Sequence, residues 1–133
     1  MRKYLSLKNL DPFNVLPITF HIAKGIEDPE FKVFRKYFED IESSKGLTGL
    51  RNIWIVKPGE NTNRGNGITV AYSLDDIIIR LKGREKNADG KLRTFIIQKY
   101  IEKPLLYCRR KFDIRHYMLI TCMNGIFKAY WYE

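Results

Sequence analysis

The sequence predicts an α+β domain, a largely antiparallel sheet with flanking helices. Three features carry that expectation. Residues 27–46 show the 3.6-residue apolar period of an amphipathic helix. Short runs rich in β-branched and aromatic residues follow it. Asn124-Gly125 is the pair favoured in a two-residue hairpin turn. The strands come after the first helix with one further helix among them, which is the order of a mixed domain.

Residues 1–27 contain Pro12 and Pro17 and no sustained period, and no element is assigned there. In EDPEFKVFRKYFEDIESSKG, Asp28 can cap a helix and Pro29 suits its first turn. Phe31, Phe34, Tyr37, Phe38 and Ile41 recur on one face, and Gly46 lies just past the expected end. NIWIVK and ITVAY are predicted strands joined by a hairpin loop over 58–67. SLDDIIIRLKG is a second helix, with Ser73 accepting from the backbone near Asp76 and Gly83 ending it. REKNADGKLR reads as a charged, mobile loop. TFIIQKYI, KFDIRHYMLITC and IFKAYWYE complete the strands, the last two joined through MNG.

At 133 residues, 44% hydrophobic and 14% aromatic, the chain can form one ordinary core, which argues against disorder. Twenty-four Lys and Arg against 15 Asp and Glu leave a net charge of +9 and point to polyanionic partners. Cys108 and Cys122 have neither metal-ligand nor CxxC spacing and read as free thiols in a reducing compartment. His21 and His116 have no second ligand at useful spacing, and Trp54 and Trp131 read as core or sheet-packing residues. No stretch approaches the roughly 20 apolar residues of a membrane span, and the amino terminus lacks the apolar core of a secretory signal.

Two segments invite chemistry. The loop with Gly59, Gly65 and Gly67 allows backbone N–H groups to turn toward an anion, with Lys57 and Arg64 adding charge. A solvated hairpin crown explains the same composition. The GxxxxGK[ST] and GxGxxG orders are absent. In KFDIRHYMLI, strand alternation would put Lys111, Asp113 and Arg115 on one face and Phe112 and Ile114 on the other. That face is either a polar cleft or an exposed surface with cross-strand ion pairs.

WIVKPGENTNRGNGI, FIIQKYIEKPLLYCRRKFDIRHYMLI and the closing YWYE, in this order and spacing, resemble the central catalytic segment of the tubulin tyrosine ligase-like family, whose members have an ATP-grasp fold. DPFNVLPITFHI resembles the lead-in of some members. The resemblance divides residues 1–133, a partial domain, into a lead-in and helix over 1–52 and a nucleotide-binding core over 53–133. It implies an ATP-dependent ligase that joins an amino acid to a protein carboxylate through an acyl-phosphate.

By the matching positions, Lys57 contacts the phosphates, and Arg64 and Gly65 form the loop above them, Arg64 also reaching the protein substrate. Gln98, Lys99, Tyr100 and Ile101 line the adenine pocket, the last through its backbone. Lys111, Phe112 and Asp113 complete the nucleotide site, and Arg115 faces the acidic tail or the intermediate. Lys57, Arg64 and Arg115 are thus the expected catalytic groups. The side chains of Lys57, Lys99 and Lys111 are expected to converge on one triphosphate.

ATP and Mg2+ are the implied cofactors. The family's magnesium ligands and a further tail-binding arginine lie beyond Glu133, and a lysine from the amino-terminal part of the cleft is not identifiable. The domain is therefore expected to be incomplete at the carboxy-terminal end, with no metal ligand of its own, and the isolated chain is expected to be inactive. The implied partners are the acidic tubulin tail or microtubule and free glycine or glutamate, without nucleic acid or membrane, in the cytoplasm, on the cytoskeleton and in a cilium or flagellum. KPGENTNRGNGI with DPFNVLPITFHI most resembles the glycine-adding branch. A glutamate-adding enzyme and a non-catalytic nucleotide- or microtubule-binding fragment are the alternatives. An RNA-binding domain is disfavoured because neither an RNP-type strand nor a GXXG clamp is present.

Overall fold

The computed structural model of the protein describes residues 5, 7–49, 51–60, 65–83, 85–86 and 90–132, apart from the side chain of Thr48. The chain divides into two compact units, residues 1–102 and 103–133.

In the first unit, β1 (Thr19–Ile22), β2 (Trp54–Pro58), β3 (Thr69–Ala71) and β4 (Phe95–Lys99) form one antiparallel sheet in the order β1-β4-β2-β3. Two helices, α1 (Pro29–Thr48) and α2 (Leu74–Lys82), contribute to its core. Period-2 alternation decides which side of each strand is buried. Phe20 and Ile22, Trp54 and Val56, Ala71, and Phe95 and Ile97 point to one face. They meet Phe31, Phe34, Phe38 and Ile41 of α1 and Ile77 and Leu81 of α2. Trp54 is fully buried and stands edge-on to Phe34, with ring centroids 4.9 Å apart.

The first strand lies in the stretch without a sequence assignment. TFHI alternates apolar and polar residues after Pro17, a pattern too short to stand out, and its pairing with β4 gives it a place. The lead-in therefore supplies an edge strand to the sheet that also holds β2, β3 and β4.

Helix α1 starts as expected. Asp28 accepts the Glu30 N–H at its amino terminus and folds back onto the N–H groups of Ala23 and Lys24, both at 2.8 Å. Its end differs: the helix runs through Gly46 and stops at Gly49, whose φ of 63° is the left-handed cap. Ser73 caps α2 through the Asp76 N–H, and Gly83 ends it. Of the charged loop after α2, residues 84 and 87–89 lie outside the described residues. Its flanks pair, Arg93 N–H donating to Glu85 O.

The second unit is built on a hairpin of β5 (Met118–Met123) and β6 (Ile126–Trp131). Asn124 and Gly125 turn it with φ of 51° and 77°, as the pair predicts. The strand expected over 111–122 begins only at Met118, where the β6 ladder begins; residues 111–117 have no regular structure. Strand alternation, the ground for expecting Lys111, Asp113 and Arg115 on one face, therefore does not apply there. Trp131 is 62% exposed and stacks on His116, so it packs on the hairpin and joins no core. The described residues contain no helix long and apolar enough to cross a membrane.

Candidate functional site

The face of the first sheet opposite the helices carries the side chains with site chemistry. Register places Thr19, Ile55, Lys57, Ile96 and Gln98 there, all partly exposed, and none joins the buried core. Lys57 Nζ donates to Gln98 Oε1 at 2.7 Å, and Gln98 Nε2 donates to Thr19 Oγ1 at 2.9 Å. Three strands thus hold one cation in a relay of side chains beside the apolar Ile55 and Ile96.

The loop 58–67 leaves the end of β2 next to Lys57. Gly65 and Gly67 take φ of 76° and 75°, a region that glycine enters without steric cost. Residues 61–64 lie outside the described residues, so the expected role of Arg64 falls there as well.

Lys99 departs from the expected convergence. It pairs with Trp54 across the sheet and so leaves β4 on the core side, opposite to Lys57. Its ammonium donates to Arg51 O at 2.7 Å and to Glu102 Oε1 at 2.7 Å, and it lies 5.9 Å from the centre of the Trp54 ring. Burial works to raise the Glu102 carboxyl. The Lys99 ammonium and the Arg51 N–H outweigh it and hold the carboxyl below its usual range. Lys99 is therefore a tie at the strand end, and only its main chain remains near Gln98. Its N–H donates to Ile18 O, and that of Tyr100 to Ile53 O. Ile101 is exposed.

Lys111, Phe112, Asp113 and Arg115 belong to the second unit and are exposed within it. Phe112 meets the Tyr107 ring, and the Arg115 guanidinium lies 5.7 Å from the Tyr117 ring centre. Between Tyr107 and Arg110, Cys108 and Arg109 form a tight turn with φ of 48° and 62°, and both cysteines are free thiols.

Thr19, Glu60, Arg80 and Thr94 touch this site or the loop beside it and were not picked out from the sequence. Alternation in TFHI was the one available signal for Thr19. The others reach the site through contacts distant in sequence.

Such a surface suits a ligand that is flat and apolar at one end and anionic at the other: Ile55 and Ile96 offer contact area, Gln98 a hydrogen-bonding amide, and Lys57 a charge. Among the described residues no group of three acidic, histidine or cysteine side chains is gathered for a metal ion. The antiparallel α+β sheet, with a lysine on one half-open face beside a glycine-bearing loop, agrees with the ATP-grasp-like class of the family that the chain matches.

The profile of the tubulin-tyrosine ligase family matches residues 3–133, and the chain belongs to that family. It is 46% identical over 105 residues to tubulin glycylase 3B of Drosophila melanogaster, covering 77% of this chain and 13% of that protein. Human tubulin monoglycylase TTLL3 is 43% identical over 81 residues, 60% of this chain and 10% of that protein. Human protein monoglycylase TTLL8 is 40% identical over 81 residues, 60% of this chain and 9% of that protein. No solved structure matches the chain.

Proposed function

We propose that this chain is the nucleotide-handling segment of an ATP-dependent ligase that attaches glycine to glutamate side chains of the acidic tubulin tail. The observation that carries the reading is the Lys57–Gln98–Thr19 relay on the open sheet face, in a chain whose relatives are named as glycylases. In this reaction the γ-phosphoryl group of ATP passes to the tail carboxylate. The amine of glycine then attacks the acyl carbon, and phosphate leaves.

Lys57 supplies a positioned cation where negative charge gathers on the phosphoryl oxygens. Gln98 orients that cation and, with the main chain of Lys99, Tyr100 and Ile101, borders the base. Magnesium would enter with the nucleotide and offset its charge; the described residues add no cluster of ligands for it. By the family resemblance, Lys111, Phe112 and Asp113 are assigned to nucleotide binding, Arg64 to the phosphate loop and the protein substrate, and Arg115 to the acidic tail or the intermediate. The +9 charge favours an acidic tail through steering that salt would screen. The cytoskeleton is the expected location, and a cilium or flagellum the finer assignment.

Removal of the gene, followed by mass spectrometry of tubulin tails, tests the amino acid. Loss of glycyl adducts is expected. An unchanged glycyl signal with reduced glutamyl adducts would transfer the assignment to a glutamate ligase, and unchanged tails would overturn both. The nucleotide site is tested on this chain by amine labelling of Lys57, which ATP should suppress.

A further inference from the structure

The glycine loop is fastened at both of its roots. On the departing side, the ladder of β2 and β4 extends one bond past Pro58, Gly59 N–H donating to Thr94 O at 2.9 Å. The next residue closes the loop root from the other side: Thr94 N–H donates to the Glu60 carboxylate, at 3.0 Å from Oε2 and 3.2 Å from Oε1. Thr94 Oγ1 lies 3.3 Å from His21 Nε2, so the same residue ties the root to β1. Gly59 must be glycine in this arrangement, because a Cβ there would strike Thr94 Oγ1.

On the returning side, Arg80 of α2 donates from Nη2 to Gly67 O at 3.2 Å. A Cβ at Gly67 would lie 2.8 Å from Pro58 Cγ, so the outgoing and returning strands meet in a narrow neck. Ile68 N–H then donates to Gly65 O, which sets the turn entering β3. A small cavity of about 70 Å³ lies beneath this neck, lined in part by Pro58, Gly67, Arg80 and Arg93.

A charged side chain from outside the loop's sequence neighbourhood, Arg80, and a loop carboxylate, Glu60, are both spent on backbone groups at the neck. We propose that Glu60 and Arg80 are positioning residues that fix the two roots of the glycine loop and so hold the amides of Gly65, Asn66 and Gly67 ready for the phosphates of the nucleotide. The proposal rests on the nucleotide reading above. It adds that affinity depends on residues whose bonds go to the loop's own main chain or to Thr94.

The test measures, on the whole chain, hydrogen exchange at the Thr94 and Ile68 amides together with affinity for a fluorescent ATP analogue. Glu60→Ala should speed exchange at Thr94 by about tenfold, the scale of one lost charge-assisted hydrogen bond, and weaken ATP binding by a similar factor. Glu60→Gln keeps an acceptor oxygen and should restore both. Arg80→Met should act on Ile68 and on ATP affinity while leaving Thr94 protected.

Gly59→Ala should loosen the neck, and Gly59→Ala combined with Thr94→Gly should recover most of the protection, since the struck side chain is gone. Unchanged exchange in Glu60→Ala and Arg80→Met would overturn the proposal. So would faster exchange with wild-type ATP affinity. Failure of the wild-type chain to bind ATP would instead overturn the nucleotide reading, and the exchange measurements would still decide whether these residues hold the loop.

Discussion

Asn52 joins helix α1 to the strand that carries Lys57, and its replacement by alanine has a cost that can be worked from its bonds. The side chain is 2% exposed. Its Nδ2 donates to Phe38 O and to Glu42 Oε2, both at 2.9 Å, and its Oδ1 accepts the indole N–H of Trp54 at 2.8 Å. Asn52→Ala strands the Trp54 N–H in a core from which water is excluded, at about 1–3 kcal/mol. The two lost donor bonds add about 1 kcal/mol, so about 3 kcal/mol in all is expected.

For a domain of this size that lowers the melting midpoint by about 10–15 °C, readable by circular dichroism. Trp54→Phe removes the stranded donor and leaves an aromatic ring against Phe34. The double variant Asn52→Ala/Trp54→Phe should therefore be about 1–2 kcal/mol more stable than the two single losses predict together. If the single effects add to within about 0.5 kcal/mol, the Trp54 N–H was never dependent on Asn52 and the argument fails.

Lys57→Met should weaken ATP binding by about tenfold or more and leave the unfolding midpoint near wild type, whereas Lys99→Met should cost about 1–3 kcal/mol of stability and leave affinity within about threefold; titration with an ATP analogue and urea unfolding separate the two. Burial tends to raise the Asp28 carboxyl, but the N–H groups of Lys24, Glu30 and Ala23 and the Lys24 charge hold it below its ordinary value of 3.8. A depressed carboxyl stabilises the fold fully above that value and loses the contribution as pH falls through the lower folded value. Unfolding midpoints followed from pH 7 to about pH 3 should therefore drop at the acid end, less steeply in Asp28→Asn. Gly46→Ala, inside α1 with no atom within 4 Å of the new Cβ, should stabilise by about 0.5–1 kcal/mol. Gly49→Ala, at φ 63° and equally unobstructed, should destabilise by about 1 kcal/mol through backbone strain alone; thermal melts read both signs.

Elements with strong local signals were legible in the sequence. Asp28-Pro29 opened α1, Ser73 capped α2, and Asn124-Gly125 turned the last hairpin, because each depends on neighbours a few residues away. Gly46 misled for the same reason: a glycine near the end of an apolar period looks like a stop, but the left-handed turn is made three residues later at Gly49. Long-range pairing was not legible. Thr19–Ile22 is a strand because β4 pairs with it, and residues 111–117 are not one because the β5–β6 ladder begins at Met118. Among the site residues, Lys57 and Gln98 were recognised and share a face. Lys99 was recognised by type, yet its parity in the strand turns it to the other side. Glu60, Arg80 and Thr94 carry no motif, and only their contacts disclose them.

The sheet order β1-β4-β2-β3 also dictates a sequence of events during synthesis. The strand that sits between β1 and β2 is the last of the four to be made, and the Gln98–Thr19 side-chain bond spans 79 positions. A ribosome-bound chain can raise α1 and the β2–β3 hairpin early, but Phe20 and Ile22 stay without their sheet neighbours until residue 99 has emerged. Until then those two apolar side chains are a natural landing place for a chaperone.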